Sequence, residues 1–285
     1  MLSWRLSATG AKNTDSKKQL GENMKIMKSV GLCCLLGATF TAFIAKADDH
    51  MLDGINLQAP FNIQANMCKL NPGVSMEEYD SMMDEYVEWA VSEEVDPVAV
   101  RQMPLFTHGN IRRPWGYDFV DFLVSDYERW GKSWDLWLGT KQGMALNAKW
   151  QSLAVCHVKQ AHAMMLYADQ KAMASDDDRY VSWNWCTRKE GVTFEEVSAK
   201  HAEYAQDMQQ DSGGIIGWLV LLPHTGGADA AGDFAHVVVY PDMASFMERR
   251  AMLANGGWKN SRDYFNLYAD CNGEMLNTET VLHRP

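Results

Sequence analysis

Apolar and polar positions in this chain follow one succession twice. From residue 62 a strand-like run ends at Cys68, a turn follows at Asn71-Pro72-Gly73, and Met76, Tyr79, Met83, Tyr86 and Ala90 then recur at helical spacing. The succession restarts at residue 180, with a run ending at Cys186, a turn at Lys189-Glu190-Gly191, and Phe194, Val197, His201, Tyr204 and Met208 on one helical face. Ser75-x-x-Glu78 and Thr193-x-x-Glu196 open the two helices as capping boxes, in which the hydroxyl accepts from an N3 amide and the glutamate reaches back. Second strands are predicted near 98–106, where Pro97 and Pro104 disturb the run, and at 218–222; third strands are predicted at 118–124 and 233–240. The next helix carries Tyr127, Trp130, Trp134 and Trp137 in the first copy and Met243, Phe246, Met247 and Leu253 in the second, where Gly256-Gly257 ends it. A closing segment leads into Cys156 or Cys271 as the last strand.

The residues themselves repeat. Asn66, Cys68, Gly73, Glu77 and Glu78 return as Asn184, Cys186, Gly191, Glu195 and Glu196, a shift of 118, and Asp118-Phe119 and Cys156 return as Asp233-Phe234 and Cys271, a shift of 115. A period this long suits a duplicated domain and is too long for a solenoid. The order βαββαβ is the ferredoxin-like unit, whose first and last strands are neighbours. The fold class expected is α+β, with two tandem ferredoxin-like units at 61–169 and 180–285. Residues 170–179, with Ser175-Asp176-Asp177-Asp178, read as a solvated linker, since no calcium-loop pattern with a turn glycine follows.

The amino terminus reads differently. Lys25 and Lys28 precede an apolar run from Val30 to Ala45, and Ala45-Lys46-Ala47 has the small-x-small pattern of a cleavage site, so 24–47 is predicted to be a signal peptide starting at Met24. Residues 1–23 read as a non-native upstream extension and 48–60 as an N-terminal segment. The apolar run, interrupted by Gly37 and Thr41, is short for a membrane anchor, and Leu32 before Cys33-Cys34 does not suit a lipid attachment site. A periplasmic or secreted location follows as the expectation.

The whole chain holds 26 Lys+Arg and 37 Asp+Glu; without residues 1–47, which carry seven basic and two acidic residues, 19 face 35 and the net charge is −16. Such a surface repels phosphate backbones and anionic lipid, which argues against nucleic-acid or membrane-surface partners. Four cysteines remain, two per copy. In an oxidising compartment the simplest pairing is Cys68 with Cys156 and Cys186 with Cys271, although four cysteines allow three connectivities. A metal site is the alternative, without CxxC spacing to support it.

Two such units in one chain resemble the dimeric α/β barrel superfamily, in which two sheets face one another as a barrel. The short Asp48-Asp49-His50 start, the paired cysteines and the internal repeat look like those of exported bacterial proteins of this type. The resemblance implies a pseudo-dimeric barrel, monomeric or assembled into a homo-oligomer. It is topological and carries no catalytic signature: the superfamily includes cofactor-independent monooxygenases, haem-dependent peroxidases, chlorite-degrading enzymes and plain binding proteins, and fold alone does not choose among them.

Candidate chemistry is sparse. His108 and His224 both end second strands, where each is a candidate haem ligand or base; the alternative is a loop-start histidine satisfying local backbone groups. His236 shares a strand face with Phe234, Val238 and Tyr240, and its counterpart is Asp121. If that face lines the barrel, Asp121 and His236 meet across it as an acid/base pair, with Tyr240 nearby; in the opposite orientation these groups face solvent. Trp183 and Trp185 share an apolar face expected to line the interior. A mature start at Asp48 would let the terminal amine, two backbone amides and His50 hold Cu(II) or Ni(II). No Ser-His-Asp order, zinc motif or phosphate loop is present, and haem has no specific motif. The leading expectation is a binding protein for a small apolar or aromatic molecule, lodged between or within the two units. The alternatives are an oxidoreductase using His108 or His224, and an envelope protein that works through its surface.

Overall fold

Several barrel strands present one face inward and the other to a helix, and this double burial organises the molecule. The computed structural model describes residues 50–105 and 116–285. A short hairpin of β1 (Met51–Leu52) and β2 (Ile55–Asn56) is followed by β3 (Phe61–Leu70), α1 (Met76–Ser92), β4 (Val98–Pro104), β5 (Phe119–Ser125), α2 (Tyr127–Gly139), α3 (Lys141–Leu153) and β6 (Ala154–Ala168). After α4 (Gln170–Ser175) come β7 (Asp178–Arg188), α5 (Phe194–Gln210), β8 (Gly217–Pro223), β9 (Phe234–Tyr240), α6 (Met243–Met252), α7 (Trp258–Leu267) and β10 (Ala269–His283). Strands β3 to β10 close into an antiparallel barrel in the order β10-β4-β5-β3-β6-β8-β9-β7. In each half the last strand lies beside the first, and it also pairs with the second strand of the other half. Ala163 of β6 thus faces Leu221 of β8, and Val281 of β10 faces Val100 of β4. These two seams leave no barrel strand with an open edge.

Both capping boxes are formed: the Glu78 amide donates to Ser75 Oγ at 3.2 Å and the Ser75 amide to Glu78 Oε2 at 2.8 Å, with the same pair of bonds between Thr193 and Glu196. Three expectations need correction. The last strand of each half begins two residues before its cysteine and runs on well past it instead of leading up to it, because α3 occupies 141–153 in the first half and α7 occupies 258–267 in the second. The helix α3 was not foreseen, since Trp150 and Leu146 alone give a weak apolar stripe. The segment 170–179 holds α4, capped by Asp169, whose Met173 is buried in the barrel core.

The interior packs Ile63, Val100, Phe122, Val181, Leu219 and Val237. Outer faces are covered in the first half by Tyr79, Met82, Tyr86, Trp89 and Trp130 of α1 and α2, joined by Trp134 and Trp137 of the predicted stripe. In the second half Val197 and Tyr264 of α5 and α7 cover Val220 and Phe234. Cys68 lies directly opposite Cys156, and Cys186 opposite Cys271, with Cα atoms 4.1 and 4.0 Å apart; both pairs are disulfides joining the first and last strands of a half. No helix among the described residues is long and apolar enough to cross a membrane.

Candidate functional site

Alternation along the strands decides what reaches the lumen. On β3 the inward residues are Ile63, Ala65 and Met67, on β5 Val120 and Phe122, and on β7 Val181, Trp183 and Trp185. They enclose an outer chamber of about 330 Å³ and an inner one of about 110 Å³, and Ile63, Gln102, Phe122, Trp183 and Leu221 border both. The inner end is closed by the β1–β2 hairpin, which contributes Leu52, Asp53 and Ile55, and by Arg284, which pairs with Asp53. The wall between the chambers is held by polar bonds: Trp183 Nε1 donates to Gln102 Oε1 at 2.7 Å, Gln102 Nε2 to Glu279 Oε2 at 2.7 Å, and Glu279 pairs with Arg179 at 2.5 Å. These bonds fix the Trp183 ring, which stacks on Phe122 with centroids 5.3 Å apart and planes at 16° and lies 6.4 Å from Trp185 at 28°. The outer chamber thus has one flat aromatic wall, with aliphatic side chains, Met67 and Met275 making up much of the rest and Gln102, Gln160 and Asn277 adding polar groups.

Polar groups gather at the mouth. Gly227, Asp229, Ala230 and Ala231 of the β8–β9 loop line the chamber, and Asp229 is ion-paired with Lys159 of β6. The Lys159 ammonium holds the Asp229 carboxyl below the usual carboxylate range, with a smaller contribution from His157. His157 lies opposite Met67 in the β3–β6 register, hence on the lumen side, and is exposed. Further bonds hold the loop: Gln160 N donates to Thr225 O at 2.9 Å and Asn272 Nδ2 to Ala231 O at 3.0 Å. Gly226 has φ +71°, and a Cβ there would sit 2.8 Å from the Val158 carbonyl oxygen, so only glycine suits this close passage.

The histidines named from sequence are elsewhere. His108 lies outside the described residues. His224 is turned away from the lumen: its ring packs on His162 at 4.3 Å, its Nε2 lies 3.1 Å from Asn62 Oδ1 and its Nδ1 2.9 Å from Thr225 Oγ1. Burial, then the neighbouring His162, lowers its affinity for a proton. Of the copper or nickel site only His50 is described, exposed before β1.

The proposed Asp121–His236 couple does not form. Both side chains point to the helix layers, one in each half, because inward positions on β5 and β9 are Val120, Phe122, Val237 and Val239. Asp121 accepts from Arg101 Nε at 2.6 Å and Nη2 at 3.1 Å, and Arg101 also pairs with Asp80. His236 belongs to a buried chain whose proton positions can be assigned. Trp218 Nε1 can only donate, and it does so to His236 Nδ1 at 3.2 Å. Neutral His236 therefore carries its proton on Nε2 and donates to Tyr264 Oη at 3.1 Å, leaving the phenol proton for His201 Nε2 at 2.8 Å. Burial pushes His201 down to about 4, and burial together with His201 pushes His236 down to about 3. Tyr240 packs outward against Phe246 and accepts from Arg250 Nη2 at 3.4 Å.

No family model matches the sequence, and no curated protein does. Solved structures do match. They include a candidate monooxygenase from Lactobacillus acidophilus (11% identity, 79% of this chain and 94% of that one, TM-score 0.49). An anthrone oxidase-like protein (10%, 82% and 94%, 0.47) and a haem-binding protein from Thermus thermophilus (10%, 82% and 97%, 0.43) also match. The neighbours are dimeric α/β barrel proteins. At such identity the likeness concerns the fold alone.

Haem, which the resemblance allows, needs an axial donor. The described lining of the outer chamber offers Met67, Met275 and Tyr117 but no imidazole, and no cluster of three His, Cys, Asp or Glu residues suited to a metal occurs among the described residues. The described lining itself thus supplies no imidazole for a histidine-ligated haem, and His157 stands beside it at the mouth. Missed by the sequence reading were Gln102, Lys159 and Asp229; Lys159 was legible only as one charge inside an otherwise alternating strand.

Proposed function

We propose that the barrel lumen binds a small, flat aromatic molecule that enters past residues 225–232. The observation that carries this is the Phe122–Trp183–Trp185 wall beside about 330 Å³ of apolar space. Pockets of this size and lining suit small ligands, and offset stacking adds specific attraction to area burial. In this reading the two halves are ferredoxin-like units from one duplicated ancestor, and residues 24–47 export the chain to the periplasm or beyond. The test is calorimetric titration with 2-naphthol. Binding in the wild type and a loss of tenfold or more in Trp183→Ala are expected; no heat, or equal affinity in the variant, defeats the proposal.

A second reading, an oxidoreductase acting on the bound ring, has its support in Lys159 and Asp229, titratable groups lining the chamber, with His157 next to them on the lumen side of β6. Oxygen consumption in the presence of a bound phenol tests it. A zero rate with full occupancy leaves binding alone.

A further inference from the structure

We propose that the molecule bound in the lumen is an aromatic acid, whose anionic group replaces Asp229 as the partner of Lys159. This rests on the lumen-binding reading. Among the described lining of the outer chamber Lys159 and Asp229 are the charged residues, and their side chains, 22% and 37% exposed, are nearer solvent than Trp183 and Phe122 of the aromatic wall, at 9% and 7%. A ligand that stacks on Trp183 with a polar end therefore presents that end to this pair. The two members are not equivalent. Lys159 is fixed by the register of β6 opposite Ala65 of β3, and its side chain is 22% exposed. Asp229 is 37% exposed and belongs to the β8–β9 loop, which lines the chamber. The loop-borne carboxylate is the member that can leave, and the strand-borne ammonium is the one a ligand inherits. A ligand cation would instead have to pair with Asp229 beside the fixed Lys159 charge, which repels it.

The exchange keeps charges matched. One carboxylate leaves Lys159 as another arrives, so no buried charge is stranded, and the β8–β9 loop is released at the moment the ligand is secured. The loop thereby reports occupancy. The overall negative charge of the chain slows the approach of an anion, but it is screened over about 8 Å at physiological salt and does not alter pairing inside the mouth.

The experiment compares 2-naphthoate with the neutral 2-naphthalenemethanol at pH 7.5 by calorimetry, on wild type, Lys159→Met and Asp229→Asn. A charge-assisted hydrogen bond is worth roughly tenfold or more in affinity. Wild type is expected to bind the carboxylate about tenfold tighter than the alcohol, by that argument. Lys159→Met should bring the ratio to about one, and Asp229→Asn, which removes the competitor, should raise it severalfold. The wild-type ratio needs no variant to fold. An alcohol bound as tightly as the carboxylate, or a ratio unchanged in both variants, overturns this inference and leaves lumen binding standing. Failure of both compounds to bind overturns the two together.

Discussion

Lowering the pH from 7.5 to 5 is expected to remove about 4 kcal/mol of folding free energy through His201 and His236 alone. The reason is the chain from Trp218 through His236 and Tyr264 to His201, which uses both imidazoles in the neutral form. In the unfolded chain a histidine takes up its proton near pH 6.5, whereas burial holds the folded values at about 4 for His201 and about 3 for His236. Below 6.5 the unfolded state therefore binds more protons, so the stability contributed by the pair is complete above that pH and falls as pH drops toward 4 and 3. At pH 5 each histidine favours unfolding by about 1.5 units of 1.36 kcal/mol, or about 2 kcal/mol. A double variant, His201→Gln with His236→Gln, keeps an acceptor for Trp218 and for the Tyr264 hydroxyl and a donor toward Tyr264, but cannot be charged. Urea unfolding followed by tryptophan fluorescence, with the disulfides intact and the denaturant slope checked for constancy, gives the difference between the two pH values. Wild type should lose about 4 kcal/mol more than the double variant. Equal losses would refute the claim that burial keeps both imidazoles neutral at pH 5.

Two further outcomes are expected. Removing the first disulfide as Cys68→Ser with Cys156→Ser, a pair 88 residues apart, should lower stability by about 4 to 5 kcal/mol on the chain-entropy argument, measured by urea unfolding. Replacing Ala65, which lines the outer chamber, by Trp should fill that space and weaken 2-naphthol binding more than tenfold in calorimetry; the fold should survive an overpacking cost of about 1 to 3 kcal/mol.

Strand and helix order was legible because periodicity, turns and capping boxes all agree at 61–92 and 180–210. The disulfides were legible because both copies keep their cysteines at matched places, and the barrel puts each pair directly opposite. The site was legible only in part. Trp183 and Trp185 were placed on an inner face by alternation, and they line the chamber. The orientation of Asp121 and His236 stays open in the sequence because β5 and β9 are buried on both sides, so alternation of polarity does not tell lumen from helix layer. A buried carboxylate with Arg101 and a buried imidazole with Trp218 and Tyr264 satisfy themselves there without reaching a ligand. Lys159 and Asp229 were invisible because their pairing joins residues 70 apart through the β6–β8 seam, a contact between halves that neither copy encodes locally.

That seam bears on where function can arise in a chain whose two halves share residues at matched positions. At a shift of 118, Trp183 and Trp185 correspond to Ala65 and Met67, and at a shift of 115 Val237 corresponds to Phe122. All but Val237 line the outer chamber, so bulk supplied by one half meets a small or flexible side chain from the other. Two indoles from each half would crowd the same lumen, and two pairs of Ala and Met would leave no flat wall for a ring. Hydrophobic interiors are packed as densely as organic crystals, so a chamber of about 330 Å³ persists only where facing positions fail to fill it together. Residues matched between the halves, the cysteines and the capping pairs, secure each half separately. The chamber depends on the positions that differ, and for that reason substitutions restoring likeness between the halves should abolish binding before they disturb the fold.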